Sequence, residues 1–336
     1  MTIADIWREL EEDPRESHVG YLIRRLTPEL NYDLILAIEK PKNVRLLMLR
    51  VRTYSIKKDL IFPKSLGFEV RQVRLEGDDS SYVTIQLILS NSRYSDIFTS
   101  LVQDIVDRLT LIPAETDAVK EFIARLRQWQ AFLEKYPPEG LSQSKQQGLY
   151  GELWCLRQTL IPQLGACYAV QSWTGPNGTQ QDFQLPNCAI EVKTTLAKQH
   201  QKLSISSERQ LDDTNTGTLL LYHLSLDSRQ GRGESLVEII ATIRTLIAED
   251  LTAQTQFEAL LLAIGYLDTQ AHLYEGTGYS IRESNYFKVV DDFPRILESD
   301  LRNGIGDVRY TISVAECKRF SLLEAEVISL IGQNHE

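Results

Sequence analysis

The apolar positions of this chain switch between two spacings, and the switches divide it. Between residues 33 and 90, four short runs, "DLILAIEK", "VRLLMLRVRTY", "FEVRQVRL" and "YVTIQLILS", are rich in Val, Ile and Leu with partial alternation, which predicts strands. Asn43 and Gly77 fall in or near the turns between them. The spacing then changes. In "SDIFTSLVQDIVDRL", Ile97, Leu101, Ile105 and Leu109 recur every fourth residue and fit one helical face. Val119, Phe122, Ile123, Leu126 and Trp129 form a similar stripe in the next segment. Pro137-Pro138-Glu139-Gly140 breaks the pattern and predicts a domain boundary, with domains over 1–138 and 139–336.

The second half alternates strand and helix signals. "KQQGLYGELWCLRQTLI" carries Leu149, Leu153, Leu156 and Leu160 on one face and is expected to stop before Pro162. "QDFQLPNCAIEVKTT" reads as a hairpin turning at Pro186-Asn187. Ser207 and Gln210 match a capping box and predict a helix start. "TGTLLLYHLSL" is a continuous apolar run, as a strand covered on both faces requires. "SLVEIIATIRTLIAED" is an amphipathic helix, and another is expected near 254–264. "NYFKVV" and "DVRYTISV" read as strands, and "FSLLEAEVISLI" as a closing helix. The expected class is α/β: a strand-and-helix N-terminal domain, then a mixed sheet flanked by helices.

A length of 336 residues agrees with about two domains. Hydrophobic content of 43% and charged content of 24% are those of an ordinary soluble chain. The four cysteines, Cys155, Cys167, Cys188 and Cys317, form no C-x-x-C pair, which argues against a zinc site or disulfide framework and for reduced thiols. The N-terminus lacks the basic and apolar regions of a signal peptide, and the longest apolar runs are too short to span a bilayer. A cytoplasmic location without membrane association is the expectation. The net charge of −10 argues against a generic nucleic-acid binder. Its distribution changes that picture: residues 40–74 hold ten Lys and Arg against Asp59 and Glu69. Arg45, Arg50, Arg52, Lys57, Lys58, Arg71 and Arg74 are therefore candidate phosphate contacts, the alternative being solvated charges on exposed strands.

The hairpin carries the candidate chemistry. On its second arm Ile190 and Val192 point to one face, Glu191 and Lys193 to the other. Asp182 on the first arm reaches the same face if the register allows. Phosphodiester hydrolysis uses such a set: carboxylates hold a hard divalent cation, and a lysine offsets charge in the transition state. By itself, Glu-Val-Lys on a strand is most often a solvated, self-neutralising face. Glu152, on the preceding helix on the side of Leu149 and Leu156, is placed to face the strand layer. The histidines show no ligand spacing, and "GTGYSIRE" is neither a P-loop nor a dinucleotide fingerprint.

Taken in order, "GELWCL", "SWTGPNG", "QDF" and "IEVKTT" resemble the PD-(D/E)XK nuclease superfamily, and within it a bacterial branch of restriction-endonuclease-like proteins. The motif region covers residues 148–211, and Gln181 stands where the naming proline would be. The resemblance implies a restriction-endonuclease-like core and a metal-dependent DNA endonuclease of a bacterial restriction or phage-defence system. It implies Asp182 and Glu191 as ligands of Mg²⁺ or Mn²⁺, Lys193 as the catalytic lysine and Glu152 as an accessory acid. Arg209 or Gln210 would supply a polar side chain from the segment after the strand. DNA is the implied partner, with other restriction or defence subunits, and double-strand cutting would favour a homodimer. The alternative is a non-catalytic DNA-binding or scaffold subunit on the same fold. Intact Asp182, Glu191 and Lys193 argue against the decayed nuclease fold that this alternative requires.

Overall fold

The computed structural model describes residues 2–13, 20–26, 29–57, 60–75, 77–136, 138–214 and 216–332. The chain is mixed α/β and forms two compact units, Met1–Gly140 with Leu267–Gln270, and Leu141–Tyr266 with Ala271–Glu336.

The first unit opens with helix α1 (Ile3–Glu11), whose Thr2 and Asp5 form a reciprocal capping box. Its Ile3, Ile6, Trp7 and Leu10 are buried. Five antiparallel strands follow: β1 (Gly20–Arg25), β2 (Asp33–Lys40), β3 (Val44–Arg52), β4 (Phe68–Val73) and β5 (Tyr82–Leu89), in the order β1-β2-β3-β5-β4. Helices α2 (Ser95–Leu109) and α3 (Glu115–Lys135) complete the unit. The stripes expected on them, from Ile97 to Leu109 and from Val119 to Trp129, are buried.

The second unit begins with α4 (Gln143–Cys155), which does not stop before Pro162. It runs through a π-turn at Leu156–Leu160 into α5 (Ile161–Leu164) and then α6 (Ala166–Ser172). The π-turn lies just before Pro162, whose missing N–H interrupts the regular ladder at that point. The main sheet contains β6 (Phe183–Gln184), β7 (Cys188–Thr195), β9 (Thr218–Gln230), β10 (Glu234–Ser235) and β11 (Thr277–Val289), in the order β10-β11-β9-β7-β6. A further strand, β13 (Ser321–Leu322), pairs with β11. Strands β7 and β9 are parallel, with Lys193 beside His223 in register. The crossover between them contains β8 (Lys202–Ile205), which forms a two-stranded ribbon with β12 (Tyr310–Ser313).

Helices α7 (Leu236–Leu246), α8 (Leu251–Ile264) and α10 (Glu324–Gly332) join α4 to α6 in the helical layer, and α9 (Val314–Cys317) follows β12. Cys188, Ile190 and Val192 of β7 and Leu220, Tyr222 and Leu224 of β9 enter the large core with these helices. Ala189, Leu219 and Leu221 enter a second core with the ribbon residues Leu203, Ile205 and Ile312. The sheet is thus covered on both faces, which explains the unbroken apolar run of β9. No helix among the described residues is long and apolar enough to cross a membrane.

The helix expected after Ser207 is only a short 3-10 turn, Glu208–Leu211, and Ser207 makes no capping bond. Gln210 is engaged elsewhere. Its Oε1 accepts from Ser206 N at 2.8 Å and from Lys193 Nζ at 3.0 Å.

Candidate active site

Helix α4 reaches β7 because Gly151 has no side chain. A Cβ there would lie 2.3 Å from Thr194 Cγ2 and 3.4 Å from Val192 Cγ1. This close approach brings the next residue, Glu152, to the strand layer. Trp173, 1% exposed, donates its indole N–H to Glu152 Oε2 at 2.8 Å.

Asp182 is fixed by both backbone and side chain. Its carbonyl accepts from Thr174 N and Gly175 N, each at 2.9 Å. The β6–β7 ladder ends at Phe183 opposite Ile190. Beyond that pair, the Asp182 carboxylate replaces the missing strand by accepting Val192 N–H at 2.7 Å. Gly175 leaves space between two acids: a Cβ on it would lie 3.0 Å from Asp182 Oδ1 and 3.4 Å from Glu152 Oε2.

Glu191 and Lys193 occupy the β7 face opposite Ile190 and Val192. That face is covered, so the pair is not solvated. Glu191 is 1% exposed, and its Oε1 lies 2.8 Å from Lys193 Nζ. Its Oε2 is buried without a hydrogen-bond partner. Lys193 therefore bridges Glu191 and Gln210.

The electrostatics follow from this crowding. Burial and the Asp182 charge push the Glu191 carboxyl up to about 8, against the pull of Lys193. Glu152 is raised well above the carboxylate range by burial, Asp182 and Glu191, with the Trp173 bond opposing. Burial also raises Asp182, against the Val192 N–H and Lys193. One ammonium does not balance three neighbouring carboxyls.

Among the described residues, no three His, Cys, Asp or Glu side chains stand in ready-made ligand geometry. One oxygen each of Asp182 and Glu152 is already taken, by Val192 N–H and by the Trp173 indole. The donor set nevertheless fits a hard divalent cation. Its oxygens are carboxylate, they repel one another, and Glu191 Oε2 is orphaned in the interior.

The structure thus brings Glu152, Asp182, Glu191, Lys193 and Gln210 together. Arg209 is separate: its side chain is exposed, with Nε 3.8 Å from Glu208 Oε1. Trp173 and Gly175 were not singled out by side-chain chemistry. Their signal in the sequence is the "SWTGPNG" stretch that forms part of the resemblance.

The basic N-terminal set is divided. Arg45 pairs with Glu11 at 2.7 Å, Arg50 with Asp33 and Asp78 at 3.1 and 2.9 Å, and Arg71 with Glu69 at 2.8 Å. Arg52, Lys57 and Arg74 are exposed and have no ion pair among the described residues. Lys58 lies outside the described residues.

No curated protein and no solved structure matches the chain. A family model described as "Putative PD-(D/E)XK family member, (DUF4420)" matches residues 3–315. With a match over nearly its whole length, and a covered mixed sheet carrying Glu191 and Lys193 on β7 with Asp182 just before β6, the chain belongs to the DUF4420 family.

Proposed function

We propose that the protein is a metal-dependent DNA endonuclease acting in a bacterial restriction or phage-defence setting. The observation that carries this reading is Glu191: a carboxylate 1% exposed, with one oxygen on Lys193 and the other unpartnered, beside two further acids. Lys193 alone does not balance three buried acids, and a cation supplies the missing charge. The family membership and the order of the four motif stretches support the same reading.

Asp182 and Glu191 would hold Mg²⁺ or Mn²⁺, with Glu152 beside them. When bound, the cation polarises a phosphoryl oxygen and lowers the pKa of a water. Lys193 then presents its ammonium, fixed between Glu191 and Gln210, to the charge that grows on the phosphoryl group. Gln210 restricts the lysine by accepting a hydrogen bond from its ammonium. Trp173 holds Glu152 from behind, so the acid does not swing away.

The test is purified protein with plasmid DNA, with and without Mg²⁺ or Mn²⁺, beside isothermal titration of each metal without DNA. Cation-dependent cleavage, lost in Asp182→Ala/Glu191→Ala together with metal binding, is expected. Unchanged metal affinity in that variant would remove the site. Metal-independent DNA binding without cleavage would leave a scaffold subunit.

A further inference from the structure

A second charged feature lies on the same unit, away from the carboxylates. An open cavity of about 330 Å³ is lined by Lys198, His200, Lys202 and Lys318, with Glu283 as its one acid. All three lysines are exposed, and none forms an ion pair among the described residues. This contrasts with Arg45, Arg50 and Arg71, whose charges are already matched by acids. In a chain of net charge −10, three unmatched lysines around one concavity are a local reversal of sign.

The cavity is also tied to the candidate active site. Lys202 begins β8, and Ser206 just beyond its far end shares Gln210 with Lys193. Four residues of extended chain span about 13 Å. Along that span Lys202, Ser204 and Ser206 are exposed, and Lys202 and Ser204 pair with Ser313 and Thr311 of β12. Residues two apart on a strand share a face, so hydroxyls line the path between the lysines and the site. Lysines at one end and hydroxyls along the way are the side chains that contact phosphate oxygens without reading bases. The distance corresponds to about four base-pair steps of duplex at ~3.4 Å each. The cavity itself is steadied by Arg282, which donates to the Leu196 and Ala197 carbonyls at 2.6 and 3.2 Å, and by Gln201 on Ser225 at 2.8 Å.

We propose that the groove formed by Lys198, Lys202 and Lys318 and the outer face of the β8–β12 ribbon binds the sugar-phosphate backbone of duplex DNA, about four base pairs from the scissile position. The proposal rests on the nuclease reading for its substrate, but binding and cleavage are separable. The groove supplies affinity and register; Asp182, Glu191 and Lys193 supply chemistry.

The experiment measures equilibrium binding of the full chain to a fluorescein-labelled DNA duplex in EDTA, across a salt series. Wild type is compared with Lys198→Ala/Lys202→Ala/Lys318→Ala, with a thermal melt of both to establish equal folding. Each lost phosphate contact lowers the salt slope by about one, so the triple variant should show a slope shallower by about 2–3 and affinity at least about tenfold weaker. Single Lys198→Gln and Lys318→Gln variants, each with a smaller loss, cover the case of a poorly folding triple variant. Inorganic phosphate and a single-stranded RNA are run as competitors. Displacement of DNA by inorganic phosphate at low millimolar concentration would mean a free-phosphate pocket and would overturn the proposal. RNA binding that depends on the lysines while duplex binding does not would overturn it as well. So would an unchanged salt slope, or a wild type that does not bind duplex. A variant that binds normally while wild type cleaves removes the groove alone. Lysine-dependent binding without cleavage by wild type removes the nuclease reading alone.

Discussion

Trp173 donates the only polar hydrogen of its side chain to Glu152, 2.8 Å away, from a position that is 1% exposed. The bond favours the ionised form of an acid that burial and two neighbouring carboxylates push toward protonation. Trp173→Phe keeps most of the bulk and removes the donor. Glu152 should then hold its proton to higher pH, and the pH at which Mn²⁺ binding is half-developed should rise. Titration calorimetry from pH 6 to 9 checks this; an unmoved midpoint would mean that Glu152 plays no part in holding the ion.

Glu191 links the site to stability. Its carboxyl titrates near 4.5 when unfolded and is raised to about 8 in the fold, so the folded state binds more protons between those values. Stability of the metal-free protein should therefore fall as pH rises through roughly 4.5–8, by at most about 1.4 kcal/mol per pH unit from this group. Glu191→Gln should flatten that slope in denaturant titrations, and Mg²⁺ should stabilise wild type most at the upper end. An identical slope in both proteins would show that Glu191 does not govern it.

Lys193→Ala tests the chemistry. Cleavage should fall about a hundredfold or more, as for other preorganised charge stabilisers, while duplex affinity changes little. Alone, Glu-Val-Lys on a strand reads as a solvated face, but the Lys193 side chain is only 15% exposed and faces buried Glu191. Stability should therefore drop, and adding Glu191→Gln should recover part of it, because no unpaired carboxylate remains. Equal cleavage by wild type and Lys193→Ala would take the lysine out of the mechanism.

Gly151→Ala places a methyl 2.3 Å from Thr194 Cγ2. Overpacking of this kind costs about 1–3 kcal/mol. Thr194→Ser removes the methyl but keeps the hydroxyl that accepts from Gln147 at 2.9 Å. The double variant should recover much of the lost melting temperature. Failure to recover would place the strain elsewhere on α4.

What the sequence disclosed follows the range of the interactions. Strand faces at Ile190/Val192 and Glu191/Lys193 were readable because alternation is local. The stripe on α3 was readable for the same reason. Strand β1 was missed because it is an edge strand with Ile23 59% exposed, so no alternation marks it. The Ser207–Gln210 pattern misled because a capping box competes with every other acceptor role of glutamine, and Lys193 outcompeted it. The burial of Lys193 itself depends on what covers the β7 face, which no local pattern reveals. Three of the seven basic candidates at 45–74 are paired with acids, which a charge count does not sort either. Arg45 and Arg50 find Glu11 and Asp33 only through sheet pairing and helix docking, Arg71 finds Glu69 across one strand face, and Lys58 lies outside the described residues.

The β8–β12 ribbon has a consequence for the order of folding. Gln210 is delivered by the crossover between β7 and β9, and that crossover is clamped through Ser204 pairing with Thr311, far downstream. Contacts of such long sequence separation form late, because loop closure precedes the reward. During synthesis the acids of β7 and α4 emerge well before the strand that steadies Lys193's partner. The amide that fixes the second side of Lys193, beyond its ion pair with Glu191, is therefore steadied only once β12 has been made.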